Sequence, residues 1–141
     1  MTIQMLLLPV FAQVALTFAL LILMGRERYS AIRGGSVDLG EYRRTGSGWP
    51  ERAARLNNCF KNQFEVPVLF FALVPLIVYT RQAGLFFVIL AWMFVVSRVV
   101  HAAIYVTTND LRSRATAYLI GVMMLLLMWL IFAVNFFFGG L

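Results

Sequence analysis

Charge is scarce in this sequence, and cysteine and histidine are scarcer. Asp, Glu, Lys and Arg make up only 13% of its 141 residues, and Cys59 and His101 are the single examples of their kinds. One cysteine rules out an intrachain disulfide and reads as a packing thiol. No second histidine, cysteine or carboxylate stands at ligand spacing from His101, so no metal site is expected. Acidic side chains number 6 against 12 basic ones, so each carboxylate needs its own account. With 62% hydrophobic residues and a mean hydropathy of +0.84, the composition lies outside the range of soluble domains, and the length suits a single domain over residues 1–141. The chain is expected to be an integral, multi-pass membrane protein.

Four long apolar runs fill the sequence instead: Ile3 to Met24, about Leu56 to Tyr79, Gly84 to Val106, and Ala115 to Phe138. Each approaches or exceeds the roughly 20 residues a helix needs to cross about 30 Å of hydrocarbon. The runs are continuously apolar and do not alternate, which excludes a closed barrel. The expected fold is an all-α membrane protein, a bundle of four transmembrane helices. The first run lacks a basic leader and a small-residue cleavage site and ends in MGRER, so it reads as a retained span and not a signal peptide.

Basic residues gather in two of the three links. Arg26, Arg28, Arg33, Arg43, Arg44, Arg52, Arg55 and Lys61 lie in the stretch from Gly25 to Lys61, Arg112 and Arg114 follow the third span, and Arg81 stands alone after the second. By the positive-inside rule both basic links are cytoplasmic and both termini face outward. The short chain and minimal loops suggest a bacterial protein, hence the inner membrane with periplasmic termini. The net charge of +6 is then mostly topological. RERYSAIRGG and EYRR sit beside spans, where basic residues meet anionic headgroups, so no nucleic-acid partner is expected. The link over 25–55 shows a single helix start, at TGSGWPERAARLNN, where Pro50 suits the first helical position with Ser47 as a nearby cap. The second helix should therefore begin ahead of the membrane.

An ionisable group at membrane depth costs roughly 2.5 to 3.5 kcal/mol on insertion scales and normally faces a partner. Asn58, Asn62 and Glu65 recur on one face of the second helix; Arg98, His101 and Tyr105 recur on one face of the third. The two helices run in opposite directions. Glu65, roughly 13 Å in from Leu56, and Arg98, roughly 12 Å in from Val106, reach the same depth, as do Asn62 and His101 at roughly 9 and 8 Å. An antiparallel neighbour, in the same chain or another subunit, would pair Glu65 with Arg98 and Asn62 with His101, forming a polar pocket with Tyr105 nearest the water. The Glu65–Arg98 pair can equally serve packing alone. Gln13 reads as an interhelical hydrogen-bonding group, VMMLLLMWLIF as lipid-facing or packing surface, and Pro67 and Pro75 as kinks in the second helix.

RAARLNNCFKNQFEVPVLFF followed by SRVVHAAIYVTTNDLRSR resembles the membrane-associated proteins in eicosanoid and glutathione metabolism, the MAPEG family. The resemblance covers about residues 52 to 114, and the four-helix plan extends it to the whole chain. It implies a left-handed four-helix bundle assembled as a homotrimer, with sites between adjacent subunits. The family's Asn-x-x-Glu falls on Asn62 and Glu65, followed by Pro67, and the Arg-x-x-His-x-x-x-Tyr pattern of its prostaglandin synthase branch on Arg98, His101 and Tyr105. The catalytic arginine just past the third helix corresponds best to Arg114, with Arg112 second. One departure stands out: Asn58 occupies the place of a family arginine, while Arg55 matches a further arginine one turn earlier.

The resemblance implies glutathione as co-substrate, held by Asn58, Asn62, Glu65, Arg98 and His101. Its two carboxylates and ammonium group call for guanidinium forks, a carboxylate and amides. Arg114 would stabilise the thiolate and Tyr105 donate a hydrogen bond to it, since a neighbouring cation lowers a thiol pKa. A hydrophobic electrophile would arrive through the lipid. The expected function is that of a glutathione S-transferase or peroxidase. A non-catalytic lipid-binding or scaffold protein of the same family is the alternative. A small proton-coupled transporter, with Glu65 as the coupling group, is less favoured because the first span has no carboxylate.

Overall fold

The computed structural model describes residues 3–139, the side chain of Leu39 excepted. The first apolar run folds as helix α1, Ile3–Arg33. It continues past Met24 because RERYSAIR contains no helix breaker, and it stops where two glycines follow. Gly35 takes the left-handed conformation with φ 67°, and the Ser36 N–H donates to the Ala31 carbonyl at 3.1 Å, which satisfies carbonyls the helix end would leave orphaned. The link expected over 25–55 also holds a helix that the sequence reading did not foresee, α2, Leu39–Thr45. Asp38 caps it by accepting from the Glu41 N–H at 2.9 Å, and Gly46 ends it at φ 74°. Helix α3, Glu51–Lys61, starts after Pro50, which occupies the capping position and not the first turn. Ser47 does not cap it; its N–H and hydroxyl are both engaged with Thr45 Oγ1.

The second span is interrupted. Helix α3 gives way to a single 3-10 turn, Asn62–Phe64, and Glu65, at φ −95° and ψ −103°, separates it from helix α4, Val66–Tyr79. Pro67 accounts for the break: it has no N–H to offer the Gln63 carbonyl, and its ring would strike that carbonyl in a continuous helix. Pro75 lies inside α4 without a comparable interruption. The segment Glu51–Tyr79, α1, helix α5 (Leu85–Val106) and helix α6 (Leu111–Phe138) are four helical stretches long and apolar enough to cross a membrane.

Helix α5 is the central one and packs against α6, α1 and α3. Its Phe87, Ala91, Phe94 and Val95 meet Phe70, Leu73 and Ile77 of α4, Leu6 of α1, and Leu125 and Met128 of α6 in one buried cluster. The Phe70 and Phe94 rings lie 4.9 Å apart. A tight link joins α5 to α6. Asn109 turns through the left-handed region at φ 52°, and Asp110 caps α6 by accepting from the Ser113 N–H at 2.8 Å. That hydrogen bonding holds the Asp110 carboxyl below its ordinary range. With this cap α6 begins at Leu111, ahead of the expected Ala115. Further along, a Cβ on Gly121 would lie 2.5 Å from Ser97 Oγ, so the glycine lets α6 approach α5 closely.

Gln13 ties α1 to the break in the second span. Its Nε2 donates to Gln63 Oε1 at 2.9 Å, and Gln63 Nε2 donates to the Cys59 carbonyl at 3.2 Å. Cys59 itself packs with Leu20 and Ala102. Replacing Gln13 by leucine is expected to destabilise the protein by about 0.6 kcal/mol and at most about 1.7, the range measured for hydrogen bonds between membrane helices. A double-mutant cycle with Gln63→Leu, read by thermal unfolding in detergent, checks this; zero coupling would show that the bond contributes nothing.

Candidate functional site

The polar cluster forms where the end of α5 meets the start of α6. Arg98 is the largest fully buried side chain, at 0% exposure. Its Nη2 donates to the Asn62 carbonyl at 3.3 Å. In an unbroken helix that carbonyl would accept from the Val66 N–H, so the guanidinium fills a vacancy that the break creates. Arg98 also lies over the Tyr118 ring at 5.2 Å, and its Nε and Nη1 are buried without acceptors among the described residues.

His101 turns to α6. Its Nδ1 lies 3.0 Å from the Arg114 carbonyl; a carbonyl only accepts, so Nδ1 carries the hydrogen. Nε2 is then the free ring atom, buried and without a partner among the described residues. Tyr105 and Tyr118 flank the imidazole, with ring centroids at 5.8 and 5.6 Å. Arg114 lies over the Tyr105 ring at 4.2 Å and donates to Asn109 Oδ1. Arg98, His101, Tyr105, Arg114 and Tyr118 thus form one connected group.

The pairings expected from equal depth do not form within the chain. Glu65 is exposed, and the ion pairs among the described residues are Arg52–Glu27 and Arg55–Glu51. The 3-10 turn and the backbone at Glu65 carry its carboxylate away from the course that a continuous helix would follow, and Arg98 meets the backbone of Asn62 instead. His101 does not reach Asn62, because its ring is held by α6. Asn58 is exposed on α3. Of the two arginines after the third span, Arg114 joins the cluster, while Arg112 is exposed.

Several contributors were missed in the sequence. Tyr118 stands four residues after Arg114, on the same helical face, but inside an apolar run. Arg28 is one of the basic-link charges in the sequence; its Nη2 donates to Asn57 Oδ1 at 2.8 Å, and its guanidinium lies 4.9 Å from the Trp49 ring centroid. Arg28 Nε is buried and bonds no acceptor among the described residues. It therefore brings a second guanidinium, from α1, to the side of α3.

Beside the polar group a groove of about 490 Å³ runs between α4 and α6, lined by Val66, Leu69, Val122, Leu125, Leu126 and Trp129. Val66 directly follows Glu65, and Val122 lies one turn beyond Tyr118, so the groove runs along α4 and α6 from the level of Glu65 and Tyr118. In sequence comparison, the MAPEG family matches residues 6–134, nearly the whole chain. The chain is a MAPEG protein. It is therefore an integral, multi-pass membrane protein, as its four spans also indicate. The family includes glutathione transferases and related enzymes. Comparison with curated proteins and with solved structures finds no match to this MAPEG chain.

Proposed function

We propose that this MAPEG protein is a glutathione-dependent transferase or peroxidase that acts on hydrophobic electrophiles, at a site completed between subunits of a homotrimer near the basic, cytoplasmic face. The observation that carries the reading is the buried Arg98, whose Nε and Nη1 lack acceptors among the described residues, beside a span whose Asn58 and Glu65 are exposed. A carboxylate on the outside of a membrane helix is costly against lipid. A second copy of the chain covering that face removes the cost and turns the stripe into the wall of a cleft.

In this proposal the glutathione carboxylates take the guanidinium donors, Arg98 and Arg28 among them, and Glu65 takes the ammonium group. Arg28 offsets the uncharged Asn58. Arg114 stabilises the thiolate and Tyr105 donates a hydrogen bond to it. The thiolate sulfur attacks the electrophilic carbon, the carbon–sulfur bond forms, and the leaving group departs with its electron pair; in an addition, the adjacent carbon takes a proton instead. With a hydroperoxide, the thiolate attacks the outer oxygen and the O–O bond breaks, giving a glutathione sulfenic acid and an alkoxide that takes a proton to leave as the alcohol; the thiol of a second glutathione then displaces water from the sulfenic sulfur to form the disulfide. The groove beside Val66 and Trp129 admits the apolar part of the electrophile from the bilayer.

Glutathione is expected to raise the thermal midpoint of the purified protein in detergent, by the equivalent of about 1.4 kcal/mol at ten times its dissociation constant. No shift at millimolar glutathione would replace this reading by the non-catalytic lipid-binding or scaffold one, which Asn58 favours.

A further inference from the structure

At the end of the bundle opposite the Arg98–Arg114 cluster, the link after α4 and the last turns of α6 border a hollow of about 530 Å³, lined by Tyr79, Arg81, Gln82, Asn135 and Phe136, among others. The glutathione reading leaves it unused. We infer that this hollow binds the headgroup of a membrane phospholipid, Arg81 taking the phosphate oxyanion and Gln82 accepting from an N–H or O–H group on the headgroup.

Among the described residues Arg81 forms no ion pair. The side-chain carboxylates are those of Glu27, Asp38, Glu41, Glu51, Glu65 and Asp110, and none of these belongs to the helix ends that meet here. Arg81 is exposed and adopts a left-handed backbone conformation, φ 57°, uncommon for a residue with a side chain. Two hydrogen bonds that close α4 fix it there: its N–H donates to the Val78 carbonyl at 3.2 Å, and the Gln82 N–H donates to the Ile77 carbonyl at 3.1 Å. Gln82 supplies the complementary demand. Its Oε1 is buried and accepts no hydrogen bond among the described residues, and a buried amide oxygen calls for a donor. Tyr79, at 87% exposure, and Phe136 flank the hollow as aromatic residues do at headgroup level.

Cation and acceptor side by side select the ligand. An ionised fatty acid satisfies Arg81 but brings no donor to Gln82. Phosphatidylcholine has the phosphate, yet its quaternary ammonium carries no N–H. A phosphodiester bearing ethanolamine or glycerol satisfies both groups, and a hollow of this size falls in the range of small-ligand sites.

Native mass spectrometry of the intact protein, with equimolar phosphatidylethanolamine, phosphatidylglycerol and phosphatidylcholine of the same acyl chains plus oleate, tests the assignment. The ethanolamine and glycerol lipids should exceed phosphatidylcholine by about five-fold, the worth of one hydrogen bond. Gln82→Leu should erase that preference without weakening phosphatidylcholine. Arg81→Asn, which tolerates the left-handed backbone, should weaken all three phospholipids by about five-fold. If Gln82→Leu does not fold, Gln82→Glu replaces it and should favour ethanolamine over glycerol. Equal binding of choline and ethanolamine lipids, dominance of oleate, a preference that survives Gln82→Leu, or phospholipid binding indifferent to Arg81→Asn would each overturn the inference. Stabilisation by glutathione should be the same in both variants, which separates failure of this site from failure of the glutathione reading.

Discussion

Alanine in place of Arg114 is expected to slow conjugation of a chromogenic electrophile by about 25-fold at pH 7 and hardly at all above pH 9. The magnitude follows from ionisation alone. A thiol of pKa about 8.5 is about 3% thiolate at pH 7, and a cation that lowers that pKa by about two units raises the fraction to about three quarters. At pH 9 most of the thiol ionises with or without help, so the deficit closes. The initial rate with saturating glutathione, measured from pH 6 to pH 9.5, distinguishes this role from a structural one, which would lower the whole profile without changing its shape. Arg112→Ala serves as the control, because Arg112 is exposed and stands apart from the Tyr105–Arg114 stack, where cation and ring lie 4.2 Å apart. Undiminished activity of the Arg114 variant at pH 7 would remove Arg114 from the mechanism.

The architecture was largely legible because lipid solubility writes itself in length. Runs of about twenty apolar residues have few alternatives to a membrane helix, and all four became helical segments of that kind. The stripe of Arg98, His101 and Tyr105 was legible because helical spacing is local, and the structure does place these residues in one cluster. Their partners were not legible. Matching depths along two helices assumes that both are continuous, and Pro67 breaks one of them between the polar stripe and its last member. The proline was visible as a kink, but a kink does not reveal where the following carboxylate will point. The carbonyl that the break frees, at Asn62, became the partner of Arg98, and backbone groups are invisible to side-chain pattern matching. Helix α2 escaped for a different reason: its signature, Asp38 followed three residues later by Glu41, sits in a link whose glycines and arginines suggested irregular chain.

Gly121→Ala tests whether close helix contact sets the geometry of the cluster. In an exposed helix the change would stabilise by up to about 1 kcal/mol. Here the new methyl would stand 2.5 Å from Ser97 Oγ and 3.6 Å from Arg98 Cδ, and overfilling a packed site costs about 1–3 kcal/mol. Ser97 cannot yield freely, since its hydroxyl donates to the Phe94 carbonyl at 2.6 Å. The net expectation is a loss of about 1–2 kcal/mol, read as a lower thermal midpoint in detergent. Removing the obstructing oxygen should reverse the sign: in a Ser97→Ala background, Gly121→Ala becomes neutral or stabilising, and the double-mutant cycle shows a coupling of at least about 1 kcal/mol. The same displacement should weaken glutathione stabilisation, because Tyr118, one turn before Gly121, holds the Arg98 guanidinium against its ring at 5.2 Å. If the single variant is as stable as the parent and responds equally to glutathione, α6 has room to shift, and the close approach at Gly121 does not position Arg98.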